Sequence, residues 1–201
     1  MTKLVSRLFP SATNMIRLDH THVLSTFHQY KASAPVRVKK GLVNTMCTAL
    51  EVHAQLEEEI FYPAVRAVTQ NELIAKSLDE HQEMRRLISL LRQMEPEARD
   101  YDDTVAELMR DVMHHVADEE TLVIPEAERL LADELGELGM RMTKRRLQLV
   151  GPRSGEIALD MGRAASGNTA AIAMVGLAAV GLLVARRTGY LGSARRLGRS
   201  L

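Results

Sequence analysis

Through most of the first 150 residues apolar positions recur every three or four places, the period of an amphipathic helix. About position 20 the stripe holds Ile16, Val23, Leu24 and Phe27, and about position 53 it holds Met46, Ala49, Leu50, Leu56 and Ile60. Ile74, Leu78, Met84 and Ile88 make a third stripe about position 81, and Leu108, Val112 and Leu122 a fourth about position 115. Ser11 or Thr13 can cap the first helix, which the pattern carries to about Lys31. Pro35 closes a break, and a second helix follows to about Tyr62. There Pro63, with no N–H to offer the carbonyl of Glu59, ends or kinks it. Asn71 is a candidate cap for a third helix reaching about Met94, and Asp100 to Asp103 offer caps for a fourth, on which Pro125 repeats the role of Pro63. A further amphipathic piece spans about Asp133 to Val150, and residues 151–168, with Gly, Pro and Ser, read as a linker with room for a short helix. The pattern predicts an all-α chain, an antiparallel up-down-up-down four-helix bundle followed by a C-terminal apolar helix.

Composition agrees. Aromatic residues make up 3% of the 201 residues, there is no Trp, and eleven Met join the aliphatic residues, a mixture suited to helix packing. The formal net charge of zero hides an asymmetry, because residues 1–150 carry 19 Lys and Arg against 24 Asp and Glu, and residues 151–201 carry 7 against 2. An acidic bundle with a basic tail points toward a negatively charged surface as the tail's partner. The single Cys47 excludes a disulfide framework and fits a reducing compartment.

The chemistry lies at the centre of each stripe, where the residue is histidine. Residues 53–63 read HAQLEEEIFYP and residues 115–125 read HVADEETLVIP, so His, three residues, Glu-Glu, four residues and Pro occur twice. An acid-His pair precedes each copy, Asp19-His20 and Glu80-His81. His20 and His81 are 61 residues apart and His53 and His115 are 62 apart, so the chain is two copies of one unit. Positions i and i+4 share a helix face, so His53 with Glu57, and His115 with Glu119, can each aim an imidazole and a carboxylate at one point. His20 and His81 face them from the other helices. A single H-x-x-x-E is most often a surface pair, and a lone His on an apolar face a core residue. Six such residues on inner stripes, repeated in register, favour a metal site over both. A carboxylate in an apolar core needs a proton, a partner or a metal. Two divalent cations would neutralise both glutamates and use four imidazoles, and nitrogen and oxygen donors without thiolate suit iron, with Mn or Zn as substitutes. His22 and His114 fall off the stripes and His28 lies two turns beyond His20, so all three read as rim or surface positions. Glu58 and Glu120 read as solvated, or able to swing in as ligands, while Asp19 and Glu80 could orient ligand imidazoles.

These residues resemble the haemerythrin-like (HHE cation-binding) family over about residues 12–132. The resemblance rests on Asp19-His20, His53-x-x-x-Glu57 with Phe61-Tyr62-Pro63, Glu80-His81, and His115-x-x-x-Glu119 with Pro125. It implies a four-helix bundle around a non-haem di-iron centre with His20, His53, Glu57, His81, His115 and Glu119 as ligands and the two glutamates as bridging candidates. Oxygen carriers of the family have another His four residues after the third-helix His, where this chain has Arg85, and an Asp five residues after the last His, where it has Glu119 at four. That departure leaves a coordination position near Arg85 free and turns the expectation away from reversible oxygen storage. The set looks closer to di-iron proteins linked to repair of damaged iron–sulfur clusters, without their cysteine-bearing N-terminal segment.

The domain reading is a bundle over 1–135, a helical extension and linker over 136–168, an apolar helix over 169–185 and a basic tail over 186–201. Residues 169–185 carry no charge and reach the lower limit of a transmembrane span, and Gly176 and Gly181 give a small-residue face for pairing helices or copies of the chain. Arginines beyond this segment place its C-terminal end in the cytoplasm, which would put the bundle outside. The chain opens without the pattern of a secretory signal peptide, so the expectation is membrane attachment with the bundle in the cytoplasm, or else a cytoplasmic protein. The functional expectation is a di-iron protein that binds or senses O2, NO or peroxide, or buffers iron, with no nucleic-acid partner. The alternatives are an enzyme reducing peroxide or NO or supporting cluster repair, and a metal-free, membrane-tethered interaction bundle.

Overall fold

The computed structural model describes residues 9–70 and 72–165, and every regular element among them is helical. Helix α1 (Ala12–Gln29) begins at Ser11, whose hydroxyl accepts the Asn14 N–H at 3.3 Å and satisfies one of the free donors of the first turn. After a short break closed by Pro35 comes α2 (Val36–Leu56). Helix α4 (Leu73–Gln93) and α5 (Tyr101–Asp118) form the second pair. The expected cap Asn71 lies outside the described residues.

Pro63 does not end the second helix. A π-helical turn over Glu57–Phe61 carries the chain into α3 (Tyr62–Val68), and the Tyr62 N–H reaches the Glu57 carbonyl five residues back. The second half repeats this. A π turn over Glu119–Val123 leads into α6 (Ile124–Leu130), with the Ile124 N–H on the Glu119 carbonyl. Each proline falls in the first turn of the new segment, where a missing N–H costs no hydrogen bond. The wider turn also adds a residue to the register. Leu122, expected on the inner stripe, is therefore 49% exposed, and Val123 is buried in its place.

The core falls into two apolar clusters with the histidine layer between them. Along α1 the order is Met15 and Ile16, then His20, then Val23; along α2 it is Met46 and Leu50, then His53, then Leu56. Helix α4 runs as α1 does, from Ile74 through His81 to Leu87, and α5 runs as α2 does, from Leu108 through His115 to Val123. This alternation is that of four rods packed antiparallel. Truncating Phe61, fully buried in the first cluster, to Ala would cost about 3–5 kcal/mol.

The segment read as a linker with room for a short helix is helical through Ala164. Helix α7 (Leu135–Val150) packs across α1 and α2, and a 3-10 turn at Gly151–Arg153 leads into α8 (Ser154–Ala164), which lies along α2. Its buried Asp160 accepts from Asn44 Nδ2 at 3.1 Å and Arg163 Nη1 at 2.9 Å. The contact is too close for a side chain at Gly41, since a Cβ there would lie 2.5 Å from the Ala164 nitrogen. The compact unit accordingly runs to Ala164. Among the described residues no helix is long and apolar enough to cross a membrane, and the candidate apolar helix at 169–185 lies outside them.

Candidate metal centre

Each histidine of the repeated motif reaches the middle of the bundle because an apolar stripe on either side holds its helix face inward. His20, His53, His81 and His115 are buried, and Glu57 and Glu119 have no exposed surface. Their donor atoms form two groups. His20, His53, Glu57 and Glu119 make one, and His81, His115 and Glu57 the other, with all atoms of a group within 4.8 Å of one another. The Nε2 atoms face the carboxylates throughout. His53 and His81 lie 3.3 and 3.4 Å from Glu57 Oε2, while His20 and His115 lie 3.3 and 3.6 Å from Glu119 Oε2.

Whether these donors fit a cation is decided by their unmet bonding. The buried atoms His20 Nε2, His53 Nε2, Glu57 Oε1 and Glu119 Oε2 have no hydrogen-bond partner. His81 Nε2 and His115 Nε2 face each other at 3.2 Å, and each ring's Nδ1 already donates to a carboxylate. Two imidazole lone pairs at that distance repel unless a proton or a cation sits between them. Ligands about 2.1 Å from one metal at near-right angles stand about 3 Å apart, so these spacings suit coordination.

A ring of acids surrounds the donors, and it accounts for the residues flanking them. His20 Nδ1 donates to Glu120 at 2.9 Å, His81 Nδ1 to Glu58 at 2.8 Å and His115 Nδ1 to Glu80 at 3.0 Å, while Asp19 Oδ2 lies 3.6 Å from His53 Nδ1. Each acid is in turn met by a cation. Arg17 lies 3.1 Å from Glu120, Arg85 2.8 Å from Glu58, Lys76 3.4 Å from Glu80, and Arg146 Nη1 2.7 Å from Asp19. Two of these links cross between the halves of the chain, Glu58 serving His81 and Glu120 serving His20. Carboxylates on Nδ1 fix the rings of His20, His81 and His115 and leave Nε2 as the ligand atom. Tyr62 breaks the symmetry, for its hydroxyl donates to Glu119 Oε1 at 2.7 Å, lies 3.2 Å from Glu57 Oε2, and its ring stacks on His81. The equivalent residue in the second half is Ile124.

The electrostatics of the metal-free centre follow from this packing. Burial, and then the charge of Glu119, push the Glu57 carboxyl well above the usual range. Burial also opposes charge on Glu119, but the His20 ring 3.3 Å away and the other nearby imidazoles outweigh it and hold that group below the usual range. His20 is raised to about 9, its burial overcome by Glu119 and Glu57, while burial lowers His53 to about 4. Asp19 would be raised by burial, yet His53 and Arg146 bring it down to about 2.

Several flanking residues differ from their sequence reading. Glu58 and Glu120 are neither plainly solvated nor aimed at the centre; they hold the outer nitrogens of His81 and His20. Arg85 does not face the ligands, because its Nη2 bonds both oxygens of Glu58 at 2.8 Å. His22, read as a rim residue, has its Nε2 buried and without a partner, whereas His28 and His114 are exposed as expected. The roles of Tyr62 and Arg146 were missed. Tyr62 sits in the motif that carries the resemblance, but nothing in the spacing ties Arg146 to Asp19 across 127 residues.

Comparison with known proteins agrees with the geometry. A DNA nickase of Nostoc sp. (strain PCC 7120) is 30% identical over 121 residues, covering 60% of this chain and 34% of that protein, so the chain spans about a third of its length. The crystal structure of a Hemerythrin HHE cation binding domain-containing protein from Mycobacterium kansasii superposes with a TM-score of 0.63 at 23% identity, covering 83% of this chain and 98% of that one, a likeness of fold. The family model of the Hemerythrin HHE cation binding domain matches residues 11–145, about two thirds of the chain. Bundle, paired motifs and buried donors thus converge with that match, and the chain belongs to the Hemerythrin HHE cation binding domain family.

Proposed function

We propose that this chain holds two iron ions in the bundle and uses them to bind or sense a small molecule such as O2, NO or peroxide, or to buffer iron. The observation that carries this reading is the shared carboxylate: Glu57 belongs to both donor groups, as a bridge between two ions would. Glu119 reaches His20 and His115, one from each group, and is placed to bridge as well. Nitrogen and oxygen donors without sulfur favour iron, with Mn or Zn as substitutes. Iron bound here would supply a redox-active Lewis acid with room for an outside ligand. The protein's own part is to orient the rings of His20, His81 and His115 through their Nδ1 partners, to hold a proton on Tyr62 against both carboxylates, and to keep bulk water out with the two apolar clusters.

Metal analysis of protein expressed in iron-rich medium tests this directly. Two irons per chain are expected, with loss in His53→Ala and Glu57→Ala; a wild-type protein that takes up no iron removes the reading's support. A second reading, an enzyme reducing peroxide or NO or supporting iron–sulfur cluster repair, is favoured by the Tyr62 hydroxyl, a proton donor already against the centre. Turnover of peroxide or NO by loaded protein separates it from stoichiometric binding. The strand cleavage named for the Nostoc relative belongs to a protein of which the match covers 34%, and a plasmid-relaxation assay on the loaded chain tests whether any of it extends here.

A further inference from the structure

Among the described residues seven buried side-chain polar atoms have no hydrogen-bond partner, and they fall into two sets. His20 Nε2, His53 Nε2, Glu57 Oε1 and Glu119 Oε2 belong to the metal centre. The other three are His53 Nδ1, His22 Nε2 and Arg146 Nε, and one carboxylate, that of Asp19, relates them. Asp19 Oδ2 lies 3.6 Å from His53 Nδ1. Arg146 grips the same carboxylate through Nη1 at 2.7 Å and through Nη2, which leaves its Nε on the flank of that planar group. His22 stands three residues beyond Asp19, a neighbour on the surface of α1, and its ring is within electrostatic reach of both Asp19 and Arg146. The place is where α7 packs across α1 and α2.

The other three rings are held differently, each with its Nδ1 within 2.8–3.0 Å of an acid. A separation of 3.6 Å is too long for such a bond, yet only 5% of the His53 side chain is exposed. Buried polar atoms without partners are costly, and three together mark a place built for something that bonds to them. Their chemistry says what that is. With Nε2 turned to the centre, His53 Nδ1 carries the hydrogen and donates, as does Arg146 Nε. Asp19 Oδ2 accepts, and so does His22 Nε2 when the proton of that ring is on Nδ1. The occupant must accept twice and donate twice. Asp19 and Arg146 neutralise each other, so a charged guest would oppose one of them. Water is the small neutral molecule that meets all four demands.

We propose that a buried water, held where α7 crosses α1 and α2, is the outer partner of His53, accepting from His53 Nδ1 and Arg146 Nε and donating to Asp19 Oδ2 and His22 Nε2. His22 is then a positioning residue that acts on the centre through this water. The hydration site belongs to the metal-free chain, and its effect on iron rests on the di-iron reading above. Three rings are fixed by direct bonds and His53 by a bridged one, which makes His53 the ring with most freedom to shift when the centre changes its ligand or charge.

Magnetic relaxation dispersion in oxygen-17-labelled water, on the full-length metal-free chain, counts waters held for longer than the protein takes to tumble. His22→Phe removes the acceptor and fills its side of the site, and is expected to hold one such water fewer than wild type. His22→Gln keeps a polar atom there and is expected to retain it. Equal counts in wild type and His22→Phe, with helicity unchanged, overturn the site. A crystal structure of the wild-type chain tests it without substitution. An ordered water within bonding distance of His53 Nδ1 and Arg146 Nε is expected, and a His53 Nδ1 bonded directly to Asp19 at about 3 Å overturns it. In the iron-loaded chain, release of iron to excess chelator is expected to be several-fold faster in His22→Phe and restored toward the wild-type rate in His22→Gln. Equal release from all three, where His22→Phe has lost the water, overturns the link to the centre. A wild-type chain that holds the water and takes up no iron removes the di-iron reading and leaves the hydration site standing, so the two failures are told apart.

Discussion

Arg146 and Asp19 meet through both guanidinium nitrogens, Nη1 on Oδ1 at 2.7 Å and Nη2 on Oδ2, and so join a helix outside the four rods to the ring of His53. Removing the charge leaves Asp19 half-buried without its cation and raises its carboxyl from the low value that the pair sustains. Changes of this kind around a metal ligand reduce affinity about tenfold or more. Arg146→Gln is therefore expected to weaken iron binding by about tenfold. Competition with a chelator of known affinity measures it, and an unchanged constant would mean that α7 has no hold on the centre.

Metal uptake should depend on pH in a definite direction. In the metal-free protein His20 is raised to about 9, so at neutral pH it carries a proton that a metal must displace, and the raised Glu57 carboxyl acts in the same direction. Apparent affinity is expected to rise as pH climbs toward 9, with roughly one proton released from His20 at pH 7. Calorimetry in buffers of different ionisation heat counts these protons; uptake with no release contradicts the arrangement. For metal-free stability the sign is opposite. A raised His20 stabilises the fold fully below its unfolded value of about 6.5, and that stabilisation is lost as pH rises through about 9.

Tyr62→Phe deletes one hydroxyl and leaves two buried carboxylates without their shared donor. The metal-free protein is expected to lose about 1–3 kcal/mol. The iron-loaded protein should lose less, since cations then satisfy the same oxygens. Urea unfolding with and without iron compares the two, and equal losses would show that the hydroxyl does not serve the carboxylates.

Gly41→Ala places a Cβ 2.5 Å from the Ala164 nitrogen and 2.7 Å from the Asp160 carbonyl, both backbone atoms that cannot turn aside. Helix α8 must shift, at a cost of about 1–3 kcal/mol. The expected signature is a lower unfolding midpoint with iron content intact, because Gly41 lies three turns from His53. A protein as stable as wild type would show that α8 adapts freely.

The rods and the donor layer were legible because both rest on local periodicity: one stripe per helix, with His20, His53, His81 and His115 at the stripe centres. Leu122 was misread for a definite reason. A π turn adds a residue without altering the sequence pattern before it, so register beyond Glu57 and Glu119 could not be carried forward by counting. A short helix within 151–168 was allowed for, but the packing of α8 was hidden because it depends on Gly41 far earlier in the chain. The outer ring was half-visible. Asp19 and Glu80 adjoin ligands, but their partners are chosen by how the rods face each other, which spacing along one helix does not encode.

The crossed links between Glu58 and His81, and between Glu120 and His20, bear on what each half of the molecule is by itself. The first hairpin, α1 to α3, owns two of the four rings but orients one of them with an acid from the second, and the debt is returned in kind. Cutting the chain in the 69–72 connection would give two fragments with two rings each, neither with a finished donor set. Their reunion would restore every donor at once, so metal uptake would report fragment complementation, and the ion would act as the clasp that fastens one hairpin to the other.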